Sequence, residues 1–62
     1  MMRLKELRTQ RGDLQRHVAK ELNCATSTYS HYEKGTREPD ISTLKALSKY
    51  FDVSIDYIVC ND

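Results

Sequence analysis

Sixty-two residues support one domain with a small core, because chains of this size bury only about 60% of the surface they expose when unfolded. Charged residues at 31% and hydrophobic ones at 39% exclude a disordered chain, and no apolar run approaches the roughly 18 residues of a membrane span. The net charge of +1 hides a division, since residues 1–37 carry eight Lys/Arg against four Asp/Glu while residues 38–62 carry two against five; a basic half can then face a polyanion while an acidic end faces away.

Leu4 and Leu7, separated by charged residues, predict a first helix from about Met2 to Gln10, with Gly12 placed to end it. Asp13 is the expected N-cap of a second helix over Gln15–Leu22, in which Leu14, Val18 and Leu22 repeat at four-residue spacing and Ala19 leaves room for a close neighbour. Asn23 breaks that pattern with a side chain that tolerates the left-handed conformation of a sharp turn. A third helix is expected over Thr26–Lys34. Tyr29 and Tyr32, three apart, face inward there as core rather than as base-stacking aromatics, and Thr26, Ser27, Ser30, His31 and Lys34 face out or flank. Gly35 ends it, and "TREP" reads as an exposed connection. Asp40 after Pro39 is the N-cap of a fourth helix with Ile41, Leu44, Leu47 (or Ser48) and Phe51 as its inward stripe. Asp52 and Val53 form a link, and Ser54 caps a last short helix containing Ile55, Tyr57 and Ile58. The expectation is an all-α fold, a bundle of five short helices.

The middle of the chain meets three conditions for two helices that cross steeply across a tight turn. A small residue (Ala19) sits where the backbones approach, Asn23 can make the turn, and Val18, Leu22, Cys24, Tyr29 and Tyr32 can lock the pair. Enzyme chemistry has no support, because no Cys–His, Ser–His or paired-carboxylate constellation is brought together by periodicity. A metal site built from Cys24, Cys60, His17 and His31 lacks the usual ligand spacing, and Cys24 reads as a small buried apolar side chain. No cofactor is expected. The start "MMRLKELR" lacks the apolar core of a signal peptide, so a cytoplasmic location is expected.

The segments "LKELR" (4–8), Gln15, "VAKEL" (18–22), "STYSHYEKG" (27–35), "REPD" (37–40) and "TLKALSKYFDVSIDYI" (43–58) resemble the Cro/repressor-type, or xenobiotic-response-element, helix-turn-helix regulators. The resemblance covers nearly the whole chain and implies a single lambda-repressor-like DNA-binding domain over 1–62, with the helix-turn-helix formed by the second and third helices. It implies that Thr26–Lys34 is the recognition helix in the major groove, that Gln15 touches the phosphate backbone, and that Arg8 and Glu33 form an internal salt bridge. Three positions depart from the family pattern. Leu14 stands where Ser or Thr is usual, Ala25 where Ser is usual, and Asn23 where Gly is commonest; since Ala25 has no side-chain acceptor, Thr26 becomes a candidate cap.

On this basis Thr26, Ser27, Ser30 and His31 are the expected base contacts. Gln15, Arg16, Lys34 and Arg37 are the expected phosphate contacts, with Arg11 a further candidate. The partner is double-stranded DNA, bound by a small transcriptional regulator, a repressor by its phage-type resemblance, acting as a homodimer on a pseudo-palindromic operator. The apolar, acidic end around Tyr57–Cys60 is the candidate dimer surface, and no small-molecule effector domain is expected. A protein-interaction or antitoxin-like module using the same fold without DNA binding is the competing class.

Overall fold

The computed structural model describes residues 2–59 as five helices: α1 (Leu4–Arg11), α2 (Gln15–Glu21), α3 (Thr26–Lys34), α4 (Ile41–Phe51) and α5 (Ile55–Ile58). No strand occurs among the described residues. The first four helices stop at or next to a residue that turns the chain left-handed. Gly12 (φ 76°) ends α1 and Gly35 (φ 78°) ends α3, each closing its last turn with backbone hydrogen bonds back to the helix carbonyls. Asp52 does the same for α4 at φ 55°. An aspartate tolerates this conformation less readily than glycine, and the Ser48 hydroxyl reinforces the turn by donating to the Val53 carbonyl.

The core is drawn from all five helices: Leu4 and Leu7, Val18 and Ala19, Tyr29 and Tyr32, Leu47 and Phe51, and Ile58. α2 packs chiefly on α3, and α5 on α4. Between α2 and α3, Asn23 takes φ 58° while Leu22 and Cys24 donate backbone hydrogen bonds to Val18 and Ala19 at 3.0 Å. The reversal therefore costs few unpaired backbone groups. Ala19 is fully buried, and its lack of side chain beyond Cβ lets the two backbones approach. At the other end, Arg3 pins the N-terminus to α5. Its amide donates to the Ile58 carbonyl (2.8 Å), and its guanidinium donates to the Tyr57 carbonyl (2.6 Å) while lying 4.4 Å from the Tyr57 ring centre.

Five expectations are corrected. Leu14 is 47% exposed because it occupies the extended N-cap of α2 (ψ 158°), where the four-residue helical spacing to Val18 does not apply. Ile41 is 69% exposed; it opens α4, and a side chain in the first turn leans back over the preceding chain, where no helix packs. Asp13 does not cap α2, for it lies one residue too early. Its carboxylate instead accepts from the Tyr50 hydroxyl (2.6 Å) and Arg11 Nε (3.0 Å), joining the end of α1 to α4. Thr26 is already inside α3, whose N-cap is Ala25 with no side-chain hydrogen bond. Cys24 is half-buried at the edge of the core. Cys60, part of the expected dimer surface, lies outside the described residues.

Capping thus divides the molecule. Asp40 accepts from the Thr43 amide (2.8 Å) and Ser54 from the Tyr57 amide (3.0 Å), whereas α2 and α3 start on residues without an acceptor. The α2 start is served only in part, by the His17 ring, whose Nδ1 accepts from the Leu14 amide at 3.1 Å. Leu14→Ser and Ala25→Ser each supply the missing acceptor at an extended N-cap. Each is expected to raise stability by about 0.5–2 kcal/mol in urea denaturation; no gain from either would overturn this account of the helix starts.

Candidate nucleic-acid interface

Successive residues of a helix are about 100° apart, and α3 divides cleanly on that wheel. Tyr29 and Tyr32 are buried, with Glu33 and Thr28 at the margins of the buried side. Ser27 and Lys34 centre the opposite side, flanked by Ser30, His31 and Thr26. The exposed face is therefore polar, with short hydroxyl side chains at Thr26, Ser27 and Ser30 that let the first two turns of the helix come close to whatever they meet, and with the long cation Lys34 at its C-terminal end.

That face is held by a buried cluster on its reverse. Arg8 of α1 reaches Glu33 with two nitrogens, Nε to Oε2 at 2.6 Å and Nη2 to Oε1 at 3.2 Å. Their side chains are only 13% and 4% exposed. Gln15 of α2 donates its amide to Oε1 as well, at 3.0 Å, and Arg8 also donates to the Asp13 carbonyl (3.0 Å). The two-pronged fork fixes geometry as well as charge. Burial pushes the Glu33 carboxyl up, but hydrogen bonds led by those from Arg8 and Gln15 outweigh it and hold the acid below its ordinary range. Arg8 is held more firmly protonated by the same hydrogen bond. The Tyr29 hydroxyl is fully buried and makes no hydrogen bond to the described residues; burial, with the negative Glu33 nearby, keeps it protonated.

The expected contact residues fall into three groups. Thr26 and Ser27 open α3, and Ser30 and His31 follow one turn on, so the four share the outward side. His31 is not loose: its Nδ1 lies 2.8 Å from the Thr36 hydroxyl just past the helix end. Arg16, Lys34 and Arg37 are exposed, and no ion pair or hydrogen bond among the described residues engages their side chains. Arg16 and Lys20, one turn apart on α2, line a shallow depression that runs past Asn23 to Thr26. Gln15 and Arg11 differ from these. Gln15 is half-buried with one amide hydrogen given to Glu33. Arg11 is drawn into the scaffold, bonded to Asp13, donating to the Tyr50 carbonyl (3.3 Å) and lying 4.5 Å from the Tyr50 ring centre. Sequence spacing carries no signal for the Asp13–Tyr50 or Gln15–Glu33 contacts, whose partners are 37 and 18 residues apart. Among the described residues no group of His, Cys, Asp and Glu is placed to hold a metal, and no helix is long and apolar enough to cross a membrane.

Five helices with a tight second-to-third turn and a polar outward face on the third define a helix-turn-helix domain. Residues 4–58 match the helix-turn-helix family, and the chain belongs to the Cro/repressor-type branch of it. It is 42% identical over 60 residues to the HTH-type transcriptional regulator ImmR of Bacillus subtilis, an alignment covering 97% of this chain and 47% of ImmR. It is 35% identical over 57 residues to the cryptic phage CTXphi transcriptional repressor RstR of Vibrio cholerae, covering 92% of this chain and 51% of RstR. A crystal structure of a transcriptional regulator from Listeria innocua superposes with a TM-score of 0.84 at 35% identity, covering 90% of this chain and 53% of that one. The chain spans about half the length of the relatives it matches.

The Glu33 cluster generates a stability prediction with a definite sign. A carboxyl whose folded pKa is lowered contributes stability that is present above its unfolded value, near 4.3, and lost as pH falls through the lower folded one. Urea stability should therefore fall with acid below about pH 4, and Glu33→Gln should flatten that fall. Arg8→Met, which strands a buried carboxylate, is expected to cost about 3 kcal/mol near neutral pH, with the deficit shrinking in acid as Glu33 becomes neutral. A pH-independent deficit would show that the pair is not what Arg8 supplies.

Proposed function

We propose that this chain binds double-stranded DNA sequence-specifically as the DNA-binding part of a transcriptional regulator, a repressor by analogy with its phage relative, and that it does so as a homodimer on a pseudo-palindromic operator. α3 lies in the major groove, where Thr26, Ser27, Ser30 and His31 meet base edges. Lys34, Arg16 and Arg37 contact phosphates on either side. Gln15 adds a donor at the edge of the groove, because its amide keeps a second hydrogen after bonding Glu33.

The observation that carries this reading is the outward face of α3, a set of short hydroxyl side chains that ends in Lys34 and is accompanied by Arg16 and Arg37, three cations that no partner claims among the described residues. Hydroxyls can donate, accept or touch a thymine methyl, but they make no two-pronged contact of the kind that separates bases by about 1–3 kcal/mol. Discrimination per module is then modest and affinity rests on phosphates, which is the physical case for two copies on a symmetric site. The exposed Tyr57 edge of α5 is the surface assigned to the second copy.

Binding to mixed duplex DNA is expected to weaken steeply with salt. Lys34→Ala should weaken all sequences alike and reduce the salt slope by about one, while Ser30→Ala should change which sites are selected from a random duplex library. Absence of binding even at low salt would overturn the proposal in favour of a protein-interaction module on the same fold.

A further inference from the structure

Resting on the assignment of Gln15 and Arg16 to the DNA backbone, we infer that His17 is a positioning residue for that contact: its neutral ring closes the start of α2, a proton on the ring opens it, and acid therefore weakens DNA binding through His17.

The start of α2 is a clasp between two residues. The Leu14 carbonyl accepts from the His17 amide at 3.0 Å, and the Leu14 amide donates to His17 Nδ1 at 3.1 Å. The direction of the second bond is fixed, because a backbone N–H can only donate. Nδ1 must therefore carry a lone pair, which puts the ring proton on Nε2. Little else holds this turn. The bond from the Val18 amide to the Leu14 carbonyl is stretched to 3.5 Å, and the Leu14 side chain offers no acceptor. The Leu14 amide has no other partner among the described residues. At this third helical position a capping box ordinarily carries Glu or Gln, whose oxygen accepts throughout the neutral range. Imidazole differs, since it gains a proton between about pH 8 and 5.

A protonated ring has an N–H at both nitrogens and cannot accept from Leu14. The clasp then keeps only the Leu14 carbonyl, and a positive charge stands in the first turn, where the helix dipole disfavours it. The groups around His17 decide where the ring goes. On α2 itself Arg16 and Lys20 repel it, and Glu21 lies one turn on. The α1–α2 turn brings Asp13, whose acid is held low by the Tyr50 and Arg11 hydrogen bonds and, less strongly, by a charged His17. Lys49 and Tyr50 of α4 stand beside Glu21. On α3, Glu33 is taken by Arg8 and Gln15, and His31 and Lys34 lie on the outward side. The charged ring is drawn to Asp13 and away from the helix start. His17 lies about 200° round α2 from Gln15, so it meets no phosphate itself. It acts by setting the backbone from which Gln15 and Arg16 project.

The test compares three side chains at position 17, in the free protein and on DNA. His17→Gln keeps an acceptor at every pH used, and His17→Ala has none. In the free protein, long-range proton–nitrogen NMR at about pH 7.5 should show the Nε2–H form of His17. The Leu14 amide resonance should move together with the His17 ring on titration to about pH 5.5, and should stay in place in His17→Gln. On duplex sites selected by the wild-type protein from a random library, wild type should match His17→Gln at the higher pH. At the lower pH it should fall to the affinity of His17→Ala, a drop of roughly threefold against His17→Gln, in keeping with the weaker N-cap energies. The other imidazole, His31, is common to all three proteins and cancels in these ratios. An Nδ1–H ring at the higher pH, equal affinities of the Gln and Ala variants, or a ratio of wild type to His17→Gln that does not change with pH would overturn the inference. Failure of the wild-type protein to bind any site would instead overturn the DNA-binding reading, and the Leu14 and His17 resonances would still test the clasp.

Discussion

Glu33 is where three helices meet, and the exposed face of α3 can be polar, with short hydroxyls along its first two turns, because its reverse is fastened there. The carboxylate takes a two-pronged contact from Arg8 of α1 and a third hydrogen bond from Gln15 at the start of α2. A buried charge pair is not a cheap source of stability, since both partners lose their water. What it provides is orientation. Tyr29 and Tyr32 set how deeply α3 sits in the core, but apolar contacts tolerate rotation about the helix axis better than a fork that must meet two oxygens. With Glu33 fixed, the residues on the far side of the wheel are fixed too.

A second fastening governs the other helix pair. Asp13 bridges the α1–α2 turn to α4 through Tyr50 and Arg11, and hydrogen bonds from Tyr50 and then Arg11 hold its acid below the ordinary range. The turn before α2 is thus anchored through a side chain, while the helix start itself has no Ser, Thr, Asp or Asn at its N-cap. α1, α2 and α3 begin without a side-chain cap from their N-cap residue, and α4 and α5 begin with good ones at Asp40 and Ser54. The motif is held chiefly by the packing of α2 on α3 and by the Glu33 contacts that tie both to α1.

How much of this could be read from the chain depends on the range of the interaction. Helix ends follow from residues that act locally, so Gly12, Asn23, Gly35, Asp40 and Ser54 marked their turns and caps correctly, and the third helix falls on its expected bounds. The buried aromatics also follow, because three-residue spacing fixes their common side. The errors arise where a local rule is applied just outside a helix. Leu14 keeps the spacing of an inward stripe but sits in extended backbone, and Ile41, the first residue of its helix, stays exposed while Leu44 one turn on reaches the core. Long-range polar contacts leave no trace of spacing, so Asp13 with Tyr50 and Gln15 with Glu33 needed the fold; Arg8 with Glu33 was visible only through family resemblance.

The same division applies to the surface offered to DNA. Arg11 counts toward the basic half of the chain, yet its charge is spent within the molecule on Asp13 and on the face of Tyr50. Arg8 is equally committed, to Glu33. Of the eight cations that make residues 1–37 basic, Arg8 is therefore buried, Arg11 is paired at the surface with Asp13, and Arg3 is turned onto α5. On the proposed reading, the positive field toward DNA comes from fewer side chains than composition suggests, chiefly Arg16 with Lys20 beside the start of α3 and Lys34 with Arg37 at and past its end. A field made by few charges close to the docking face falls off within about a Debye length, roughly 8 Å at physiological salt. It acts after encounter, fixing the helix against the backbone, more than it draws the molecule in from a distance. On the proposed reading, in which short hydroxyls meet the bases, that is the useful arrangement: they discriminate only once the helix is seated, and the nearby cations act at that distance.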